Sequence, residues 1–250
     1  MRLTRSLAFR FPLLVLLSLA WGCSSTVERQ PSSEEQFQIV PVRPIEQLRT
    51  EALEAEPPVE SADLAPPDLV ELSSLDSRFQ LDIRYATDRN FMGTPFYSLP
   101  RAYLQRSAAQ ALLSAHRDLL KKGFGLMIFD AYRPWFVTKM FWDATPEELR
   151  LFVADPSQGS RHNRGCAVDL TLYDLSTGNP VPMPSGYDEF TERAHIDYVG
   201  GTARERANRQ LLRETMERHG FAVFEPEWWH YDFQGWEQYA ISNIPFEQLP

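Results

Sequence analysis

The stretch SRHNRGCAVDLTLY, residues 160–173, joins a polar loop to a run of apolar residues that is typical of a buried strand. Asp169 lies between Val168 and Leu170, in the middle of that strand. Burial of a carboxylate is costly unless the group is paired or binds a metal ion. Because His162 lies on the loop seven residues earlier, the two side chains form either a structural hydrogen bond or part of a metal site.

A second pair of polar residues encloses two tryptophans near the C-terminus, in Glu227-Trp228-Trp229-His230. In a regular strand, residues 227 and 230 point to opposite faces, so Glu227 needs a bend to share a site with His230. Pro226 comes just before Glu227 and can supply that bend. The segment is therefore either an aromatic core strand with polar ends or one wall of a pocket.

His162, Asp169 and His230 together offer two imidazoles and one carboxylate. Three such ligands leave the fourth position of a tetrahedral zinc site open for water. Two histidines and one carboxylate can also bind non-haem iron, but iron oxygenases place the carboxylate much closer behind the first histidine. Glu227 is suited to act as a general base toward metal-bound water, which favours hydrolysis.

The segment DAYRP, residues 130–134, ends another predicted buried strand. Arg133 at that strand end can direct positive charge toward a site and stabilise an oxyanion. The plainer alternative is a surface salt bridge.

The order of the predicted elements indicates an α+β fold. Residues 79–85 alternate between apolar and polar, as in a strand, and residues 104–119 carry apolar side chains at helical spacing. Further strands are predicted at 166–173, 221–224 and 228–233. We therefore expect a single domain with a central antiparallel sheet, helices packed on it and the metal site at the sheet.

Composition excludes several classes of protein. The chain has 250 residues, and 25 Lys plus Arg against 34 Asp plus Glu give a net charge of −9. This acidic balance argues against a nucleic-acid partner. Two cysteines exclude a disulfide scaffold and a cysteine-rich zinc module. No run of 18 apolar residues is present, so no membrane-spanning helix is predicted.

The N-terminus predicts export and a lipid anchor. Arginines precede a short apolar run at residues 11–20, the pattern of a secretory signal. The next residues, Trp21-Gly22-Cys23, resemble the lipobox of bacterial lipoproteins. We predict a signal peptide over residues 1–22 and lipidation of Cys23, the alternative being an ordinary signal with an incidental cysteine. Removal of residues 1–22 would take three arginines and change the net charge from −9 to −12.

Residues 23–67 are rich in proline and acidic side chains, which predicts a disordered tether. The alternative is a short helix near residues 45–55 that packs on the domain. The catalytic domain is expected over residues 68–250.

These predictions place the protein in the cell envelope on the periplasmic side, with the lipid as its only membrane contact. Ser24 resembles an outer-membrane sorting signal if the organism is Gram-negative. The oligomeric state is left open.

Three segments resemble the zinc D-Ala-D-Ala dipeptidase and carboxypeptidase superfamily. Residues 160–169 are similar to its SxHxxGxAxD motif, EWWH at 227–230 to its second metal motif, and DAYRP to its arginine segment. The VanX-type D-alanyl-D-alanine dipeptidases are resembled more specifically by RYATDRNFMG (84–93), LTLYDLSTG (170–178) and VPMPSGYDEFTERAH (181–195). The likeness extends from about Leu81 to Phe233.

The resemblance implies the roles of the metal and catalytic residues. His162, Asp169 and His230 would bind one zinc ion per chain. Glu227 would be the general base, and it would then give its proton to the leaving amine. Arg133 would stabilise the developing oxyanion.

The resemblance also implies how the substrate is bound. Asp188, assisted by Ser160, would bind the free ammonium of a dipeptide, and Tyr85 would line the pocket. Cys166 is interpreted as a buried strand residue rather than a ligand. Of the other histidines, His195 is the best candidate for a supporting contact near the site.

The implied function is hydrolysis of D-Ala-D-Ala to two D-Ala molecules. Alternatives on the same site are a D,D-carboxypeptidase or an L-Ala-D-Glu endopeptidase, both acting on peptidoglycan peptides. A non-catalytic peptidoglycan-binding lipoprotein is a further alternative. The Asp188 segment argues against long substrates, and Glu227 argues against a binder, which has no need of a base.

Overall fold

The computed structural model describes residues 37–60 and 63–250. The predicted signal peptide, residues 1–22, and the predicted lipidation site, Cys23, lie outside the described residues and stay predictions. Among the helices that are described, none combines the length and the apolar character needed to cross a bilayer.

Within the described residues the chain forms seven strands and five α-helices, numbered here along the sequence. The strands are β1 (Leu69–Glu71), β2 (Gln80–Leu81), β3 (Tyr103–Gln105), β4 (Phe124–Asp130), β5 (Ala167–Asp174), β6 (Phe221–Phe224) and β7 (Glu227–Phe233). The helices are α1 (Ile45–Glu54), α2 (Leu72–Leu75), α3 (Arg106–Leu120), α4 (Trp135–Ala144) and α5 (Ala203–Arg218). This content confirms the predicted α+β class.

The central sheet has five strands in the order β2-β4-β5-β7-β6. The four longer strands pair antiparallel, as predicted. The short edge strand β2 instead pairs parallel with β4, because the chain returns to β4 by a crossover through β3 and α3. The sheet is therefore mixed rather than wholly antiparallel. β1 and β3 form a separate antiparallel pair.

Helices α3 and α5 pack on each other and on this sheet, where α3 contacts β4 and α5 contacts β6. The apolar stripe of α3, including Leu112 and Leu119, is fully buried. Since side chains alternate along a strand, Asp169 of β5 points to the face opposite its buried neighbours Val168 and Leu170. The site described below forms on that face.

Residues 37–60 differ from the predicted tether. Helix α1 buries Leu48 and Ala52, one turn apart, and packs against α4. Farther on, the Glu60 carboxylate accepts hydrogen bonds from Arg164 at 2.6 Å and from the backbone N–H of Ile241 at 2.7 Å. The prediction of a disordered tether over 23–67 is therefore wrong for this part. Few apolar residues suffice when they pack on an existing domain.

The predicted strand at 79–85 is also shorter than expected. Only Gln80–Leu81 pairs in the sheet, and Arg84–Ala86 form a turn of 3₁₀ helix. The backbone N–H groups of Phe96 and Tyr97 donate to the Tyr85 carbonyl oxygen at 2.7 and 2.8 Å. These two bonds replace strand pairing and hold Tyr85 at the wall of the cavity described below.

Candidate active site

His162, Asp169 and His230 meet at the centre of the sheet. Asp169 on β5 and His230 on β7 are direct cross-strand partners, and His162 lies on the loop before β5. The Asp169 Oδ1 atom is 3.3 Å from His162 Nε2 and 3.1 Å from His230 Nδ1. The two ring nitrogens are 3.2 Å apart. The three atoms therefore form a nearly equilateral triangle.

The hydrogen bond made by the outer nitrogen of each histidine ring fixes the tautomer of that ring. The tautomer in turn determines whether the inner nitrogen presents a lone pair to Asp169. His162 Nδ1 lies 2.7 Å from the carbonyl oxygen of Ala131, which can only accept, so Nδ1 carries the hydrogen. His230 Nε2 likewise donates to Asp232 Oδ1 at 2.9 Å. In the neutral rings, both lone pairs therefore point toward Asp169. Such outer partners are typical of metal-binding histidines.

Asp169 completes a set of three acceptors that face one another. Its Oδ2 atom accepts a hydrogen bond from Tyr187 at 2.9 Å, whereas its buried Oδ1 has no hydrogen-bond donor among the described residues. Burial raises the pKa of Asp169, but the positive charge that the two rings carry when they are protonated holds it well below its usual range. Ligand atoms of a tetrahedral zinc ion lie about 3.3 Å apart, which is the spacing of this triangle. These residues fit a metal ion.

Glu227 reaches the same site because the β6–β7 pairing is irregular. The register shifts between Val223 and Phe224, and Phe224 pairs with Glu227 while Val223 pairs with Tyr231. Bulges of this kind redirect side chains beside active sites. The shift brings Glu227 Oε2 to 3.9 Å from His230 Nδ1. Burial raises the pKa of Glu227 to about 7, against the attraction of His230.

Arg133 is anchored by Asp130 at the end of β4. A second register shift, between Ile128 and Asp130, brings Asp130 opposite Asp169. Asp130 Oδ2 accepts from Arg133 Nη2 at 2.7 Å and from Nε at 3.0 Å. Both side chains are buried, so the surface salt bridge considered above is excluded. The guanidinium carbon also lies 5.2 Å from the centre of the Tyr85 ring, over its face.

Asp188 is a buried carboxylate that accepts from one hydroxyl group, that of Tyr85, within the described part of the chain. The Tyr85 hydroxyl lies 3.0 Å from Oδ2 and 3.2 Å from Oδ1. Burial, with Asp169 and Glu227 nearby, raises the pKa of Asp188 well above its usual range. The residue also has a φ of +55°, which is uncommon outside glycine. A cation bound beside Asp188 would relieve its unfavourable burial.

One cavity of about 180 Å³ brings together the predicted site residues of the described chain. Its polar lining includes Tyr85, Arg133, Ser160, His162, Asp169, Asp188, Glu227 and His230. The Ser160 hydroxyl oxygen accepts from the His162 backbone N–H at 3.2 Å. Phenylalanine side chains form much of the remaining wall, namely Phe91, Phe141, Phe152, Phe190 and Phe224. Cys166 and His195 do not belong to this lining, and burial raises the pKa of the Cys166 thiol to about 12.

Residues 67–246 match the Peptidase_M15 family, described as D-ala-D-ala dipeptidase. The chain belongs to this peptidase family. It is therefore an enzyme, and its M15 domain contains the whole of the polar cavity lining named above.

Three relatives of the M15 peptidase share the name D-alanyl-D-alanine dipeptidase. The Escherichia coli protein is 34% identical over 72% of this chain and 91% of its own length. The Enterococcus faecium protein is 37% identical, and the Streptomyces coelicolor protein 35%, each over 66% of this chain and 90% of its own. A solved LD-carboxypeptidase, LdcB, has 21% identity and a TM-score of 0.39, covering 70% of this chain and 72% of that one.

Sequence reasoning missed three polar residues of the M15 peptidase that hold the site from outside. They are Asp130, which anchors Arg133, Tyr187, which donates to Asp169, and Asp232, which accepts from His230. The signal for Asp232 was available, because it follows His230 by two residues and so shares its face of β7. Asp130 lies in the DAYRP segment and Tyr187 in the segment at residues 181–195, but spacing alone assigns them no partner.

Proposed function

We propose that this M15 peptidase is a zinc-dependent dipeptidase that hydrolyses D-Ala-D-Ala to two D-Ala molecules in the cell envelope. The observation that carries the proposal is the combination, in one small cavity, of the His162–Asp169–His230 triangle with the buried carboxylate of Asp188. The relatives named D-alanyl-D-alanine dipeptidase support the same substrate. The buried carboxylate of Asp188 favours a free dipeptide over a long peptidoglycan strand, because a free ammonium group offers it a partner.

His162, Asp169 and His230 would hold one zinc ion per chain. Zinc bound there would supply a Lewis acid that polarises the scissile carbonyl and acidifies water. The chain contributes the orientation of its ligands, since Ala131 and Asp232 hold the two rings in the tautomer that presents a lone pair. Tyr187 binds the second oxygen of Asp169 and keeps Oδ1 directed at the site.

Glu227 would take a proton from the attacking water and transfer it to the leaving amine. Its carboxylate lies beside the ligand triangle without belonging to it, so it can move a proton while the ligands stay in place. Arg133 would stabilise the negative charge that develops on the carbonyl oxygen. Its double contact with Asp130 fixes the guanidinium before substrate arrives.

Asp188 would bind the free ammonium group of the dipeptide. Tyr85 holds this carboxylate, and Ser160 would assist with its hydroxyl oxygen. An ammonium ion offsets the cost of a buried anion, whereas a blocked amine leaves that anion unpaired. A fixed anion at this point therefore selects for a free N-terminus.

The location in the envelope rests on the predicted signal peptide and on lipidation of Cys23. A lipid at Cys23 would keep the enzyme on the periplasmic side of a membrane, in the compartment that contains the peptides of the cell wall. If the organism is Gram-negative, Ser24 favours the outer membrane.

Offering purified protein a panel of peptides tests this function. With zinc we expect release of free alanine from D-Ala-D-Ala, little from L-Ala-L-Ala, and none from a muropeptide. Removal of the metal by a chelator should abolish the activity, and added zinc should restore it. Release of free alanine from the muropeptide alone would instead support a D,D-carboxypeptidase. Cleavage of the muropeptide into two fragments without free alanine would support an L-Ala-D-Glu endopeptidase, and binding without any cleavage would support a non-catalytic envelope protein.

The change Asp188→Asn should chiefly weaken binding of the free amine. We expect the KM for D-Ala-D-Ala to rise by at least about 30-fold, because a buried charge pair is lost. The rate for N-acetyl-D-Ala-D-Ala should change far less. The measurement is the ratio of kcat/KM for the two substrates, and an unchanged ratio would show that Asp188 does not bind the ammonium.

A further inference from the structure

The segment at residues 37–54 lies outside the family match, which begins at residue 67. It runs from an extended stretch into α1, and we call it the N-terminal arm. The arm belongs to the same compact unit as the catalytic domain. Its contacts converge on Asp188 by two separate routes.

The first route passes through Phe190, two residues after Asp188. The Phe37 ring lies 5.0 Å from the Phe190 ring, measured between centroids. Phe190 in turn packs on Phe91 at 5.3 Å, and the backbone of Phe91 accepts a hydrogen bond from the Ile39 N–H at 2.8 Å. Phe190 and Phe91 both line the cavity. The arm therefore supports the wall beside Asp188 from outside.

The second route passes through Tyr85. From α1, the Arg49 guanidinium donates to the carbonyl oxygens of Pro95 at 2.8 Å and Phe96 at 3.3 Å. The N–H of Phe96 donates to the Tyr85 carbonyl oxygen. The Tyr85 hydroxyl is the side-chain donor to Asp188. Arg49 thus binds the loop that contains Pro95 and Phe96. That loop in turn binds the backbone of Tyr85, the residue that donates to Asp188.

Asp188 needs such support because its backbone is strained. A φ of +55° in a residue other than glycine persists only when the surroundings determine it. The carboxylate is also buried, and among residues 37–60 and 63–250 its side-chain donor is the Tyr85 hydroxyl. Its position therefore depends on how firmly Tyr85 and Phe190 are held.

We infer that the N-terminal arm is a positioning element for the Tyr85–Asp188 pair, so that residues outside the M15 domain set the enzyme's preference for a free amine. This inference rests on the proposed role of Asp188 in binding the substrate ammonium. Phe37 and Arg49 do not line the cavity, and they act through Phe190 and Tyr85.

Kinetics of Phe37→Ala and Arg49→Ala test the inference. Each change should raise the KM for D-Ala-D-Ala by about threefold to tenfold and should change kcat little. A factor of this size corresponds to a usual interaction free energy between contacting residues. The preference for D-Ala-D-Ala over N-acetyl-D-Ala-D-Ala should fall by the same factor. Phe37→Tyr, which keeps the ring, should restore the parent values.

Val40→Ala is the matched control, because Val40 lies in the same arm and is 84% exposed. It should leave both substrates unaffected. Combining Phe37→Ala with Asp188→Asn should cost no more than Asp188→Asn alone, because both act on one contact. A loss that is equal for the two substrates, or additive in the combined variant, would overturn the inference and leave a purely structural role for the arm.

Hydrogen exchange separates this inference from the proposed function. Residues 185–191 should lose amide protection in Phe37→Ala but not in Val40→Ala, whether or not D-Ala-D-Ala is the substrate. If the parent protein fails to cleave the dipeptide, the function is wrong and exchange still tests the arm. Unchanged protection in both variants would refute the arm's role on its own.

Discussion

Glu227→Gln should lower kcat for D-Ala-D-Ala by about 10²- to 10⁴-fold, the range that a positioned general base contributes. Glutamine fills the same space, but its amide cannot accept the proton of the attacking water. The three proposed ligand side chains are untouched by this change, so zinc bound as proposed should stay at one ion per chain. Steady-state kinetics together with elemental analysis of the purified variant measure both quantities.

Glu225→Gln is the matched control for this result. Glu225 lies two residues earlier in the turn between β6 and β7, and its side chain is exposed. The same chemical change there should leave kcat and zinc content as in the parent. Full activity in Glu227→Gln would refute the role of general base, and loss of zinc along with activity would instead make Glu227 part of the metal site.

The metal site was largely predictable from the sequence, because one of its residues does not fit the apolar pattern of the strand around it. Asp169 interrupts an apolar strand, and a buried carboxylate needs a partner. His162 and His230 offered the nearest suitable chemistry, and the structure brings the three residues together. The strands that carry Asp169 and His230 were also predicted, because their apolar patterns are decided by burial on the sheet.

The position of Glu227 was only half predictable. Alternation along a strand shows that Glu227 and His230 cannot share a face without a bend. The structure places that irregularity in the pairing of β6 with β7, where Phe224 pairs with Glu227. Register shifts depend on both strands at once, so no feature of the EWWH segment alone indicates where the shift falls.

The contacts that hold the site and the arm depend on distant parts of the chain. Asp130 and Arg133 are three residues apart, yet the register shift that directs Asp130 arises from pairing with β5. Helix α1 has few apolar residues; it buries Leu48 and Ala52 and packs on α4. A single sequence cannot show such contacts. The composition of a segment with few apolar residues predicts disorder, because the surface on which the segment packs is not known from the sequence.

Arg133→Lys should lower kcat for D-Ala-D-Ala by about 10²- to 10³-fold, the cost of removing one oxyanion donor, with little change in KM. Lysine keeps a cation beside Asp130, so no buried carboxylate is left without a partner. It loses the planar fork whose Nε and Nη2 atoms both contact Asp130. A point charge on a flexible stem cannot hold the same direction toward the developing oxyanion. Steady-state kinetics should show kcat and kcat/KM falling together, as expected for an interaction made only in the transition state.

Arg101→Lys gives the control with matched chemistry away from the cavity. Arg101 also lies over a tyrosine ring, 5.9 Å from the centre of Tyr103, and pairs with Glu71 at 3.5 Å. Its replacement should leave kcat unchanged. If Arg133→Lys raised KM while kcat stayed constant, Arg133 would contact the ground-state substrate, for example its carboxylate, and the oxyanion role would be wrong. Equal losses in the two variants would trace the effect to destabilised folding, which the unfolding temperature of each protein would reveal.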